Sequence, residues 1–406
     1  MGILKVPLEH IEEGMIILKT DKQWLKLPFF NKPLNEKRYV DILKNYGVKY
    51  VFIEAPDDKI IGEIDEQEPV HWKKEKTSIN TLDFPVSEIQ DVINIQHIHI
   101  DFKNALKNIF MDIKVGKALD SVEAKKIVKT YMDYYFKKPE LLLSISRLKN
   151  YDEFTFMHSV NVCVLSIALG SRIGLDTASL NNLGIAALFH DIGKIMLPSE
   201  MLNKKEKFDE KEYELIKKHP IYGYEILKKQ PEIATEILMA VLQHHENIDA
   251  SGYPLNLPDK KISRFAKIIS IVNVYDSLTS DALGSFTMIP PKALREILNK
   301  SDIFFDKILV QFFIDILGIF PVGTAVMLDT GELAIVFQVN KKEINRPKVL
   351  VFTDEKQQMI TPYPFDLHSY NIATRKPYKS IKTAIEHKQY NIDPNQIINE
   401  FITSFM

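Results

Sequence analysis

From about residue 86 to residue 318 the apolar side chains recur with helical spacing, in segments such as Phe102 to Lys114, Ser121 to Phe136, Phe154 to Ile173 and Leu180 to Asp191. What constrains the fold of this all-α block most is where its apolar stretches lead. Leu183 to Phe189 runs into His190-Asp191, Ile237 to Leu242 is followed by His244-His245-Glu246, and Ile268 to Tyr275 closes on Asp276. With His158 and His219, these positions bring five of the eleven histidines and the carboxylates of Asp191 and Asp276 into one block. A single histidine on an apolar element is more often a satisfied core residue than a ligand. Burying so many titratable groups together is costly unless something compensates them, and divalent cations do this well. Five imidazoles and two carboxylates exceed what one tetrahedral zinc site uses. They suit two six-coordinate first-row metals that share a bridging carboxylate, with water in the remaining positions.

Residues 1 to about 60 alternate strand-like and helix-like patterns: Ile16-Ile17-Leu18, then helical spacing from Asn35 to Tyr46, then the β-branched and aromatic run Val48 to Ile53. They predict a small α/β N-terminal domain. Residues 61–85 are acidic and lysine-rich with little periodicity, which predicts a solvated linker, and 86–149 form a helical connector. In the connector His97 and His99 alternate with isoleucines, but no acidic or cysteine partner lies nearby in sequence, so they read as structural. After residue 318 the pattern changes: Ala325 to Leu328 and Leu333 to Val339, separated by Thr330-Gly331, predict a hairpin, and Val349 to Phe352 a third strand. The expected architecture is therefore multidomain and mainly α, with a helical bundle at 150–318 and a small β-containing extension at 319–406.

Fifty-two Lys+Arg against 54 Asp+Glu give a formal charge of -2, which removes the bulk electrostatic case for binding a nucleic-acid polymer or a membrane surface. The most apolar stretch, Ile308 to Leu328, is interrupted by Gln311, Asp315 and Pro321, short of a membrane span. The first residues carry no export or lipidation signal. A single cysteine, Cys163, inside the apolar run Val160 to Leu169, reads as a small buried thiol of a chain kept in a reducing, cytoplasmic compartment.

Leu188-Phe189-His190-Asp191-Ile192-Gly193-Lys194-Ile195 followed by Pro198 resembles the core of the HD superfamily of metal-dependent phosphohydrolases. His244-His245-Glu246-Asn247-Ile248-Asp249-Ala250-Ser251-Gly252-Tyr253-Pro254 resembles the extended signature of its HD-GYP branch, bacterial phosphodiesterases of cyclic di-GMP. His158, Lys217-Lys218-His219-Pro220 with Gly223, and Val274 to Ser280 lie in the order that branch has. Residues 1 to about 60 resemble, more weakly, the small domain that often precedes such modules.

The resemblance implies that His158, His190 and Asp276 bind one divalent transition metal, iron or manganese, that His219, His244 and His245 bind a second, and that Asp191 bridges them. Some members hold a third ion with a further glutamate, for which Glu153 is the candidate. A water held between the two cations would be acidified to hydroxide and open cyclic di-GMP to linear pGpG, and onward to GMP if a second bond is cut. Lys194 would hold a phosphate oxygen beside the metals. Gly252-Tyr253-Pro254 sets a rigid loop, with Tyr253 facing substrate or a signalling-protein partner, and a homodimer is the expected assembly if the chain self-associates.

Some positions depart from the branch. Ala250 stands where Gly is usual, which strains the loop if φ is positive there. Asn247 and Asn273 replace a usual basic residue and a frequent aspartate. Asp281-Ala282-Leu283-Gly284-Ser285 lacks the usual arginine pair, which thins the expected substrate clamp. Two other functions compete with the leading one: a phosphohydrolase of another nucleotide, and a weakly active or inactive sensor that binds the dinucleotide.

Overall fold

A computed structural model describes residues 2–8, 17–20, 40, 43–44, 48–55, 86–119, 121–139, 154–202, 204, 208–230, 232–280, 288–340, 343–370, 377–390 and 392–403. Glu153, the linker lysines and Asp281 to Ser285 lie outside the described residues. The chain divides into a unit from Met1 to His71 and a second from Trp72 to Phe405.

In the first unit, β1 (Gly2–Pro7), β2 (Ile17–Thr20) and β3 (Tyr50–Ala55) form an antiparallel sheet with β3 in the centre. Ile17, Leu43 and Val51 are fully buried. The sequence pattern anticipates β2 and β3 but not β1, whose Lys5 and Pro7 break an apolar run. The expected Asn35 to Tyr46 helix falls mostly outside the described residues.

The second unit opens with α1 (Val86–Lys114) and α2 (Ser121–Lys137). The bundle that follows comprises α3 (Phe154–Arg172), α4 (Thr177–Phe189), α5 (Glu210–Ile216), α6 (His219–Leu227), α7 (Thr235–Gln243), α8 (Arg264–Thr279), α9 (Pro290–Asn299) and α10 (Lys307–Leu317). One hydrophobic core runs through all of them except α5, from Ile95 and Leu106 on α1 to Phe313 on α10, and Cys163 lies within it. Burial pushes the Cys163 thiol well up, so it is an inert apolar residue, as the sequence implies. Helix starts follow ordinary capping chemistry. Asp176 accepts from the Ser179 N–H at 2.8 Å, Asp209 and Glu212 form a reciprocal capping box, and Ser263 caps α8. Each such cap contributes about 1 kcal/mol.

The C-terminal part is a five-stranded antiparallel sheet in the order β7-β6-β5-β4-β8, built from β4 (Ala325–Leu328), β5 (Leu333–Gln338), β6 (Lys348–Thr353), β7 (Met359–Asp366) and β8 (Ile381–Ala384). The predicted hairpin is β4–β5, with Ala325 opposite Ile335 and Gly331 at φ 95° in the turn. Leu333, Ile335, Leu350 and Phe352 pack on one face beneath α11 (Pro394–Thr403), whereas Ala334, Val336, Val349 and Val351 pack on the other. A sheet buried on both faces has strands that are continuous apolar runs, which is why β5 and β6 are legible. β7, interrupted by Pro362 and Pro364, and β8, half exposed with Lys382 and Thr383, carry no such signal.

Candidate metal centre

Three of the predicted imidazoles occupy equivalent places. His190 follows the last residue of α4, His244 follows the last residue of α7, and His219 lies just beyond the end of α5. The last carbonyls of a helix have no intrahelical partner, and each ring uses one. His190 Nδ1 lies 2.7 Å from the Ala187 carbonyl, His219 Nδ1 2.7 Å from that of Ile216, and His244 Nδ1 2.7 Å from that of Val241. A carbonyl only accepts, so each Nδ1 carries the proton and each Nε2 presents a lone pair.

Those lone pairs converge on Asp191. His219 Nε2 is 3.2 Å from Asp191 Oδ1, His244 Nε2 is 3.8 Å from the same oxygen, and His190 Nε2 is 3.3 Å from Oδ2. His219 Nε2 and His244 Nε2 face each other at 3.2 Å, and neutral rings whose Nδ1 protons go to carbonyls have none to place between them. His190 Nε2 and Asp191 Oδ1 are buried without any hydrogen-bond partner. Orphaned acceptors pointing at one another are unfavourable in a buried site unless a cation lies among them, so this donor set fits divalent metal. The groups that could share an ion are Asp191, His219, His244 and His245 on one side, and His158, His190 and Asp191 on the other. Asp191 belongs to both, and it is the residue the resemblance implies for the bridge.

Burial pushes the His190, His244 and His245 imidazoles below their ordinary range, the last two well below, which keeps them neutral and able to ligate. For Asp191 burial alone acts upward, but the Lys194 ammonium and His190 outweigh it and hold the carboxyl well below the carboxylate range. Lys194 Nζ is 2.6 Å from Asp191 Oδ2. The sequence reading extends the helix through Asp191, but α4 ends at Phe189 and Lys194 reaches the carboxylate from a 3₁₀ turn, Ile192–Met196. Gly193, within that turn, lies against the His219 carbonyl, where there is no room for a Cβ.

Asp276, on α8, lies outside both donor groups among the described residues. Its Oδ2 is 2.7 Å from His158 Nδ1 and its Oδ1 accepts from Asn161 Nδ2 at 3.2 Å. His158 Nε2 lies 3.0 Å from Asn273 Oδ1. Asn161 was not singled out by the sequence, although its position three residues after His158 places it on the same helical face.

The Gly252-Tyr253-Pro254 loop is held by Glu246, buried, whose carboxylate accepts from the Leu255 N–H at 2.6 Å and the Leu257 N–H at 2.9 Å. A Cβ on Gly252 would meet the Asn247 nitrogen at 2.3 Å, so glycine is required there by close approach. Tyr253 stacks on His245, ring centroids 4.6 Å apart. Both line a cleft of about 540 Å³ whose rim carries Tyr213, Lys217 and Lys218.

Bundle and site together define an HD domain: residues 140–309 match that family, and the chain carries an HD domain there. Residues 3–124 match a domain of unknown function, DUF3391. The chain is similar to a cyclic di-GMP phosphodiesterase of Pseudomonas aeruginosa, 29% identical over 88% of this chain and 87% of that one. It is also similar to a cyclic di-GMP phosphodiesterase of Borreliella burgdorferi, 26% identical over 81% and 82%. A 3'3'-cGAMP-specific phosphodiesterase of Vibrio cholerae is 35% identical over 36% of this chain and 33% of its own length.

Proposed function

We propose that the chain is a cytoplasmic metal-dependent phosphodiesterase that hydrolyses cyclic di-GMP to the linear dinucleotide. The observation that carries this reading is the set of proton-free Nε2 atoms of His190, His219 and His244 turned onto the shared carboxylate of Asp191 within the HD domain. His158, His190 and Asp276 would hold one ion, His219, His244 and His245 another, iron or manganese in each case, with Asp191 between them. Such ions supply polarisation of a phosphodiester oxygen and acidification of a water.

The remaining work falls to side chains of the chain. The carbonyls of Ala187, Ile216 and Val241 hold the imidazoles in one tautomer. Lys194, at the edge of Asp191, can turn its ammonium to a phosphate oxygen. The cleft beside His245 offers a dianionic dinucleotide the cations of Lys217 and Lys218 and the ring of Tyr253. Lys217 is shared with Glu214 at 2.6 Å, whereas Lys218 is exposed at the rim. Similarity to the cyclic di-GMP phosphodiesterases over most of the chain supports that substrate. The more local similarity to the 3'3'-cGAMP enzyme supports a second reading, in which another cyclic dinucleotide is cut.

Both are tested by incubating manganese- or iron-loaded protein with each dinucleotide and separating the products by chromatography. Cyclic di-GMP is expected to be opened, and Asp191→Ala to abolish turnover and remove both metals by elemental analysis. Turnover of 3'3'-cGAMP alone would favour the second reading. Neither substrate being cut by protein that holds two ions would overturn both and leave a binding sensor.

A further inference from the structure

A line of buried hydrogen bonds leaves the metal centre and ends on the two helices that precede the HD domain core. Asp276 Oδ2 is 2.7 Å from His158 Nδ1, and Asp276 Oδ1 accepts from Asn161 Nδ2 at 3.2 Å. Asn161 Oδ1 is 3.1 Å from His99 Nε2 on α1, and His99 Nδ1 is 2.9 Å from the Tyr131 hydroxyl on α2. All five side chains are buried.

The direction of each bond follows from the chemistry of the end groups. An ionised carboxylate only accepts, so the Asn161 amide nitrogen faces Asp276 and its oxygen faces His99. His99 must then carry its proton on Nε2. Burial lowers its imidazole to about 4, so the ring is neutral with one donor and one acceptor. Nδ1 is the acceptor, and the Tyr131 O–H donates to it. Turning the Asn161 amide over would set its oxygen against the Asp276 carboxylate and its nitrogen against the His99 Nε2–H.

We propose that His99 and Tyr131 are positioning residues for the metal ligands: through Asn161 they hold Asp276, and through it His158, in the orientation that binds the ion shared with His190. This rests on the reading of His158, His190 and Asp276 as a metal site. His99 lies in the segment matched by the domain of unknown function, so part of the ion's binding strength is set outside the HD domain match. Hydrogen-bonded partners behind metal ligands typically govern affinity by a factor of 10–100.

Manganese titration of the metal-free full chain, followed by calorimetry well below the unfolding temperature, tests this without any substrate. The wild type is expected to take two ions. His99→Phe and Asn161→Leu should lose about tenfold or more in affinity for one ion and keep the other unchanged. Tyr131→Phe, which deletes one hydroxyl and preserves the packing, should weaken the same ion by less. Leu106→Ala, which loosens α1 away from this line, should bind both ions as the wild type does. Wild-type affinity for both ions in Tyr131→Phe and in whichever of His99→Phe and Asn161→Leu folds would overturn the proposal, as would an equal loss in Leu106→Ala. Wild-type protein that takes no ion would instead overturn the metal reading beneath it.

Discussion

Lys194 shows how one side chain can serve two roles in turn. Its Nζ at 2.6 Å from Asp191 Oδ2 offsets a buried negative charge, and its ammonium cannot itself ligate a metal at neutral pH. Cations at the centre would take over that compensation and free Lys194 for phosphate. Lys194→Ala is therefore expected to lower turnover at least about tenfold, a charge-assisted hydrogen bond being worth about 1.5–3 kcal/mol, while elemental analysis finds the metal content unchanged. Loss of metal together with activity would make Lys194 purely structural. Ala250 makes a cleaner case. The sequence flags it as a residue where glycine is usual, and its φ is 66°, in the left-handed region. That conformation costs a non-glycine residue about 1–2 kcal/mol, and glycine gives back part of this by loosening the unfolded chain. Ala250→Gly should raise the stability measured by urea unfolding by about 1 kcal/mol, and an unchanged midpoint would show that the loop carries no strain.

The elements matter here through their ends. Helices α4 and α7 each stop just before an imidazole and α5 stops three residues before His219, and carbonyls at these helix ends orient the rings. Bringing α6 and its His219 close to the 3₁₀ turn after α4 depends on Gly193. A Cβ there would lie 1.9 Å from the His219 carbonyl oxygen and 2.5 Å from the Gly223 nitrogen, both rigid backbone atoms. Gly193→Ala must push the two elements apart. Overpacking of this kind costs about 1–3 kcal/mol, and the displacement falls on a proposed ligand, so both the urea midpoint and manganese affinity should drop. A variant that keeps full manganese affinity would mean that His219 is positioned independently of this contact.

For the whole molecule the buried histidines tie stability to pH. His99 is lowered from 6.5 to about 4, chiefly by burial, so between those values the unfolded chain takes up a proton that the folded chain refuses. Its contribution is complete above about pH 6.5 and lost as the pH falls towards 4, amounting to roughly 3 kcal/mol. Urea unfolding of metal-free protein from pH 7.5 to 4 should show that loss in the wild type, and a shallower one in His99→Gln. Parallel profiles would contradict it. Among the described residues no helix is long and apolar enough to cross a membrane. Much of this organisation is legible along the chain, because helical periodicity, a buried sheet and an apolar helix running into His-Asp are properties of neighbouring residues. The α block, the β4–β5 hairpin and the grouping of His158, His190, Asp191, His219, His244 and His245 follow from such local patterns. What only the tertiary structure decided are relations between distant residues. These include the tautomers fixed by helix-end carbonyls, Asp276 against His158 across 118 positions, and His99 against Asn161 across 62. A polar side chain carries no mark of which remote partner will satisfy it. That partner is chosen by how the helices pack, and for His99, which the sequence read as structural, the packing leads to the metal centre.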